Sequence, residues 1–85
     1  MSKVILTLLT KRGCLPCERL KLSLGKLHDE YSFSLNVIDI TNNKQYEKFK
    51  YEVPVLMFQD EIISKMIYDE KKVLDILNKY ALKDE

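Results

Sequence analysis

The sequence is poor in the residues that most often cross-link, bend or ligate a small protein. Among its 85 residues are two cysteines, two glycines, two prolines, one histidine and no tryptophan. A disulfide framework would need more cysteines, spaced so that they close long loops. The two that are present, Cys14 and Cys17, enclose only two residues, so a bridge between them adds little entropic stabilisation. The cysteine usage therefore excludes the class of small disulfide-rich scaffolds.

The sequence also has no large excess of positive or negative charge, and it has no long hydrophobic run. Fourteen basic residues stand against 13 acidic ones, a formal net charge of +1, which removes the electrostatic case for general nucleic-acid or membrane binding. No apolar run approaches the ~18 residues of a membrane-spanning helix. Residues 4–9 lack the length and the cleavage site of a signal peptide. We therefore expect a cytoplasmic monomer, with import into an organelle left open.

The pattern of apolar residues predicts one domain that alternates strands and helices. A length of 85 residues is enough for one domain and too short for two, so we expect a single domain over residues 1–85. Residues 4–10 are almost continuously apolar or β-branched, which is typical of a strand buried on both faces. The next apolar residues recur at helical spacing and predict one face of a helix: Leu20, Leu24, Leu27 and Tyr31.

The second half of the chain predicts three more strands and two more helices. In chain order we expect a strand over 33–40, a short helix over 45–50, strands over 53–58 and 62–67 with a turn at 59–61, and a last helix. Asp69 should cap that helix, which should bury Val73, Leu74, Leu77 and Tyr80. The order β-α-β-α-β-β-α predicts an α/β fold with a mixed four-stranded sheet flanked by helices.

Cys14 and Cys17 lie where the first strand gives way to the first helix, a position suited to thiol chemistry. The attacking species in disulfide exchange is the thiolate, and a free cysteine with a pKa near ~8.5 is mostly protonated at pH 7. Unpaired N–H groups and the positive end of the helix dipole favour the anion, as do the nearby Lys11 and Arg12. We expect Cys14 to be the nucleophile and Cys17, about one turn further on, to resolve the mixed disulfide.

Two other interpretations of the cysteine pair have to be weighed. A C-x-x-C pair can form half of a zinc site, but the second half is missing, because His28 is the one histidine and is expected well down the same helix. A metal would then need carboxylates or a second chain. Two incidental core cysteines are disfavoured because Lys11, Arg12 and Gly13 precede them.

At two segments the sequence resembles the glutaredoxins, and specifically the small glutaredoxin-like proteins. The segments are Leu8-Leu9-Thr10-Lys11-Arg12-Gly13-Cys14-Leu15-Pro16-Cys17 and Tyr51-Glu52-Val53-Pro54-Val55-Leu56. The resemblance extends over the whole chain in the order of the elements and implies a thioredoxin-like, glutaredoxin-type fold. It implies that Pro54 is cis and faces the cysteines, and that the Val53 backbone pairs with the substrate's main chain. It also implies that Lys11 meets the glycine carboxylate of glutathione, with Arg12 able to substitute.

The chain departs from the glutaredoxin pattern after the fourth strand. Glutaredoxins usually carry Gly-Gly there, before a helix start that holds the γ-glutamyl carboxylate of glutathione. This chain instead has Ser64-Lys65-Met66-Ile67-Tyr68-Asp69. Whether glutathione binds well therefore stays open. Leu15, expected to be exposed beside Cys14, is a candidate contact for a protein substrate.

These observations predict a dithiol–disulfide oxidoreductase that reduces protein disulfides or glutathione-mixed disulfides. We expect no tightly bound cofactor or metal, glutathione as a possible co-substrate, and glutathione or a thioredoxin-reductase-type flavoenzyme as the electron donor. No nucleic-acid or membrane partner is expected. The alternative is a non-enzymatic module on the same fold that binds a partner or a metal and makes little or no use of glutathione.

Overall fold

The computed structural model describes residues 4–59 and 61–81. The elements follow one another as β1 (Ile5–Thr10), α1 (Leu15–Leu27), β2 (Ser34–Asp39), a 3₁₀ helix (Lys44–Phe49), β3 (Val55–Phe58), β4 (Glu61–Lys65) and α2 (Glu70–Tyr80). The predicted order β-α-β-α-β-β-α is therefore confirmed, with the short second helix in the 3₁₀ form. No helix within the described residues is long and apolar enough to cross a membrane.

The four strands form one mixed sheet in the order β2-β1-β3-β4. β1 runs parallel to β2 and antiparallel to β3, and β3 runs antiparallel to β4. Because the strands run in these directions, four connecting segments lie at the same end of the sheet: 11–14 after β1, 40–43 after β2, 53–54 before β3 and 66–67 after β4. We call this end of the sheet the cysteine edge, because Cys14 lies on it.

The sheet is covered on both faces, but unequally. Side chains alternate along a strand, so Leu8 and Leu9 point to opposite faces. The larger apolar cluster joins one face to α1 and α2, and its fully buried members include Leu6, Leu8, Leu24, Leu56, Val73 and Leu77. The smaller cluster covers the other face with the 3₁₀ helix and consists of Leu9, Ile40, Phe49 and Val55. The segments that carry the cysteines therefore emerge from the best-packed part of the molecule.

Two apolar positions differ clearly from what helical spacing predicted, and Leu74 is only partly buried. Tyr31 is buried but lies beyond α1, because the chain turns after Leu27, whose carbonyl accepts from the Tyr31 N–H at 2.9 Å. The Tyr31 hydroxyl then donates to Asn78 Oδ1 of α2 at 2.8 Å. Tyr80 is exposed, because it is the last residue of α2; its ring lies 5.9 Å from that of Phe58, centroid to centroid. The spacing of the apolar residues predicted the buried face of each helix, but it did not predict that Tyr31 lies beyond the end of α1 or that Tyr80 is exposed at the end of α2.

The bounds of the hairpin also differ slightly from the prediction. β3 begins at Val55 rather than at residue 53, because Val53 and Pro54 are joined by a cis peptide bond that turns the chain before the ladder starts. β4 spans Glu61–Lys65 and ends before the bend at 66–67. Residue 60 of the predicted turn and residues 1–3 and 82–85 of the predicted domain lie outside the described residues.

Candidate active site

Cys14 caps the N-terminus of α1 with its own sulfur. Its backbone is extended, with φ −89° and ψ 102°, and its Sγ accepts a hydrogen bond from the Cys17 N–H at 3.2 Å. Its carbonyl accepts from the Glu18 N–H at 3.3 Å, which starts the helical ladder. Pro16 lies in the first turn, where its missing N–H costs no helical bond. The cap places the sulfur at the Cys17 N–H and at the positive end of the helix dipole, a setting that stabilises a thiolate.

The two sulfurs form a disulfide and differ in accessibility. Cys14 and Cys17 are bonded, with their Cα atoms 5.2 Å apart, so the structure shows the oxidised pair. Cys17 is fully buried, whereas Cys14 is half-buried at the start of the helix. Of the two residues, Cys14 is therefore the one that is open to solvent.

The loop that leads to Cys14 is anchored to the end of β2. The Cys14 N–H donates to the Lys11 carbonyl at 3.2 Å, and Gly13 takes a φ of +78°, which L side chains rarely adopt. The Arg12 N–H donates to Thr41 Oγ1 at 3.0 Å. The loop is thus held at two points, one within itself and one 29 residues further along the chain.

Thr41 can accept that bond because Asp39 fixes its hydroxyl. Thr41 donates to Asp39 Oδ1 from its hydroxyl at 2.5 Å and from its backbone N–H at 2.9 Å. The hydroxyl bond and then the backbone bond from Thr41 hold the pKa of the Asp39 carboxyl below its usual value; burial opposes them, and the charge of Arg12 adds the smallest contribution, in the lowering direction. Sequence reasoning missed both residues, because a contact between strand ends becomes visible only once the register is known.

The two basic residues before Cys14 point to different parts of the cysteine edge. Lys11 Nζ donates to the Lys50 carbonyl at 3.3 Å and lies 5.3 Å from the centre of the Tyr51 ring. The Arg12 charge lowers the pKa of the Asp39 carboxyl as the weakest of the influences on it, and the two residues line one surface depression with Thr41. Lys50 Nζ also lies over the Tyr51 ring, at 5.5 Å. Lys11 is therefore on the side of the Val53–Pro54 turn, and the Arg12 backbone is bonded to the end of β2.

The Val53–Pro54 turn offers free backbone at the cysteine edge. The peptide bond is cis, Pro54 is buried and Val53 is partly exposed. The Met66 N–H donates to the Pro54 carbonyl at 2.9 Å and to the Glu52 carbonyl at 3.2 Å, which ties the turn to the end of β4. The N–H and carbonyl of Val53 form no hydrogen bond with another described residue. They are available to a ligand that runs along the edge.

Two further residues singled out in the sequence lie at helix starts. Leu15 is exposed beside Cys14, and Asp69 caps α2 by accepting from the Lys72 N–H at 3.2 Å. The start of α2 thus already holds a carboxylate of the protein itself. Residues 4–59 and 61–81 contain no group of three or more His, Cys, Asp or Glu side chains that could hold a metal ion.

The structure is similar to a solved thioredoxin. A point mutant of thioredoxin from Halobacterium salinarum NRC-1 superposes with a TM-score of 0.63 at 21% sequence identity, over 99% of this chain and 80% of the thioredoxin. At this identity the likeness establishes the thioredoxin-like fold. No curated protein matches the sequence.

A family model identifies the family to which the chain belongs. Residues 5–80, nearly the whole chain, match the model of the glutaredoxin-like domain (DUF836). The match includes the cysteine pair and the Val53–Pro54 turn, the two features that carry the resemblance in the sequence. The chain is a glutaredoxin-like protein of the thioredoxin superfamily.

Proposed function

We propose that this protein is a dithiol–disulfide oxidoreductase that reduces disulfides through Cys14 and Cys17. The observation that carries the proposal is the asymmetry of the pair. Cys14 is partly exposed and its Sγ accepts a helix N–H, whereas Cys17, three residues further on, is fully buried. A nucleophile must be accessible and ionised, and a resolving thiol must be close and shielded from other partners.

The reaction begins with the reduced pair and ends with the disulfide seen in the structure. The Cys14 thiolate attacks one sulfur of the substrate disulfide, forms a mixed disulfide and expels the other substrate sulfur, which takes up a proton. Cys17 then loses its proton and attacks Cys14 Sγ, which releases the second substrate thiol. Two electrons and two protons pass from the dithiol to the substrate, and the Cys14–Cys17 bond remains.

Substrate binding falls to the residues that surround Cys14 on the cysteine edge. The free backbone of Val53, shaped by the cis bond to Pro54, can pair with the main chain beside the substrate cysteine. Lys11 supplies a positive charge on the same side, and Leu15 an exposed apolar surface. The Arg12 N–H anchors the loop to Thr41, and its side chain remains a candidate partner for a substrate carboxylate in place of Lys11.

The oxidised pair must be reduced again for turnover. The donor we propose is a thiol such as glutathione or a thioredoxin-reductase-type flavoenzyme, and neither requires a tightly bound cofactor in this chain. A reducing compartment such as the cytoplasm suits a protein that works in this direction. Glutathione itself is the less favoured substrate, since the segment after β4 has no Gly-Gly and Asp69 already caps α2.

Substitution of each cysteine by serine tests these roles. Cys14→Ser should lose disulfide reduction to the level of the uncatalysed reaction, because no accessible thiol remains. Cys17→Ser should still attack but should stop at the mixed disulfide, which mass spectrometry detects as an adduct on Cys14. The assay follows reduction of a mixed disulfide by pre-reduced protein, with each donor supplied in turn.

The same variants separate the enzyme from the alternative of a partner-binding or metal-binding module. In an inert module, Cys14 would titrate at or above the ~8.5 of a free thiol, and Cys17→Ser would accumulate no adduct. Full turnover by Cys14→Ser would remove the nucleophile assignment. Metal analysis of protein purified without chelator tests the metal-binding form of the module.

A further inference from the structure

Exposed apolar side chains gather at the cysteine edge. Nine large hydrophobic residues are exposed among those described, and four of them lie on or beside the loops of this edge: Leu15, Tyr51, Met66 and Ile67. The most exposed of all are Ile67 at 80% and Tyr51 at 79%. Single exposed hydrophobic residues are ordinary on any surface, but a group of them around a reactive sulfur indicates a contact surface.

The bend at Met66 and Ile67 is held in one position. Met66 has a φ of +65°, a conformation that costs a non-glycine residue about 1 kcal/mol. The Ile67 N–H donates to the Lys65 carbonyl at 2.6 Å, which closes a three-residue turn around Met66. The Met66 N–H is shared between Glu52 and Pro54, so the bend is bonded to the cis turn itself. Both apolar side chains are therefore presented on a fixed backbone rather than on a loose loop.

Strand order places this bend directly beside the proposed substrate position. Across the edge the sequence of segments is 40–43, 11–14, 53–54 and 66–67, because the strands lie in the order β2-β1-β3-β4. A chain that pairs with the Val53 backbone therefore has Cys14 on one side and the Met66/Ile67 bend on the other. The residues next to its cysteine are then the ones that pass closest to the bend, because the Met66 N–H bonds the bend to the cis turn itself.

We propose that the Met66/Ile67 bend is an apolar specificity wall, which selects polypeptide disulfides with an apolar side chain beside the cysteine over glutathione-mixed disulfides. The inference rests on the proposed exchange at Cys14. Glutathione carries carboxylates at both ends and no apolar side chain, so it gains nothing from this wall. A peptide with leucine beside its cysteine buries that side chain against Met66 and Ile67 and gains affinity in proportion to the apolar area covered.

The experiment uses pre-reduced protein and three disulfides of thionitrobenzoate. The partners are a short blocked peptide with Leu next to Cys, the same peptide with Ser in place of Leu, and glutathione. Attack by Cys14 on the partner's cysteine sulfur expels the coloured thionitrobenzoate anion. Cys17 then releases the peptide or glutathione thiol and leaves the Cys14–Cys17 disulfide. No electron donor is needed, and the second-order rate of colour release is the measurement.

Wild-type protein should react with the Leu peptide about tenfold faster than with the Ser peptide or with glutathione. Met66→Asn combined with Ile67→Thr should remove most of that advantage and leave the other two rates unchanged; Asn is chosen because it tolerates a positive φ. Ile5→Thr is the matched control, since Ile5 is an exposed isoleucine at the opposite end of β1, and it should leave all three rates unchanged.

The outcomes distinguish this inference from the function on which it rests. If wild type and the double variant show the same preference, or if wild type shows none while reacting rapidly with all three disulfides, the specificity wall is wrong and the oxidoreductase stands. If all three disulfides react no faster with wild type than with Cys14→Ser, the proposed exchange itself fails, and the wall with it.

Discussion

At the scale of single residues, the Tyr68 phenol is the group whose ionisation is most perturbed. Its hydroxyl is buried and has no hydrogen-bond partner among the described residues. Burial raises the pKa of Tyr68 to about 12, and the neighbouring Glu70 carboxylate acts in the same direction. In the unfolded chain a tyrosine ionises near ~10. Between these two values the unfolded state releases a proton that the folded state keeps, so stability falls as the pH rises through this window.

Tyr68→Phe should therefore remove part of the alkaline loss of stability. At neutral pH the substitution should leave the free energy of unfolding unchanged or slightly higher, since the lost hydroxyl has no partner in the fold. Urea unfolding at neutral pH and again between pH ~10 and ~11 measures both effects. An absorbance titration adds a check, because one of the five tyrosines should no longer ionise late. A variant with the same alkaline slope as wild type would contradict the assignment.

At the scale of elements, the end of β2 holds the loop in front of α1. Asp39 fixes the Thr41 hydroxyl, and that hydroxyl accepts from the Arg12 N–H at 3.0 Å. The position of this loop decides where Cys14 meets the helix N-terminus. Thr41 is therefore a positioning residue for Cys14, although its side chain does not touch the sulfur.

Thr41→Val keeps the shape of the side chain and removes the hydroxyl. The reduced variant should have a Cys14 thiol pKa closer to the ordinary ~8.5, and exchange at neutral pH should slow several-fold, which corresponds to about 1 kcal/mol for one hydrogen bond. Thr41→Ser retains the hydroxyl and should behave like wild type. The measurement is the rate of Cys14 alkylation against pH. Superimposable profiles for Thr41→Val and wild type would show that the loop holds its position without this bond.

At the scale of the whole molecule, local patterns predicted the elements and the central cysteines, whereas contacts across the sheet could not be predicted. Cys14 and Asp69 were placed correctly as residues at helix starts because capping depends on a few neighbouring residues. The bond from Arg12 to Thr41 and the bend at Met66 depend on strand register, which no local pattern encodes. The contacts around the cysteines are thus determined by how the strands pair in the sheet, and not by the C-x-x-C motif itself.

Because the site depends on how the sheet and helices are arranged, it is also sensitive to packing in the core far from the cysteines. α1 carries Cys17 and is capped by Cys14, and it is held to the sheet by a buried stripe that includes Leu24, which is fully buried in the larger cluster. Leu22 lies on the same helix but is 70% exposed. A domain of this size has a free energy of unfolding of roughly 4–13 kcal/mol. One lost core contact is therefore a large fraction of the total.

Leu24→Ala should lower the free energy of unfolding by about 2–5 kcal/mol, because it removes buried apolar surface and leaves a cavity between α1 and the sheet. Leu22→Ala makes the same chemical change on the same helix and should shift stability by less than about 0.5 kcal/mol. Urea unfolding of the two variants in the oxidised state gives the comparison, with an unchanged m-value as the check on two-state behaviour. Equal effects at the two positions would mean that α1 is not anchored through Leu24. A large difference would show that the helix that positions Cys14 and Cys17 is held in place by the core beneath it.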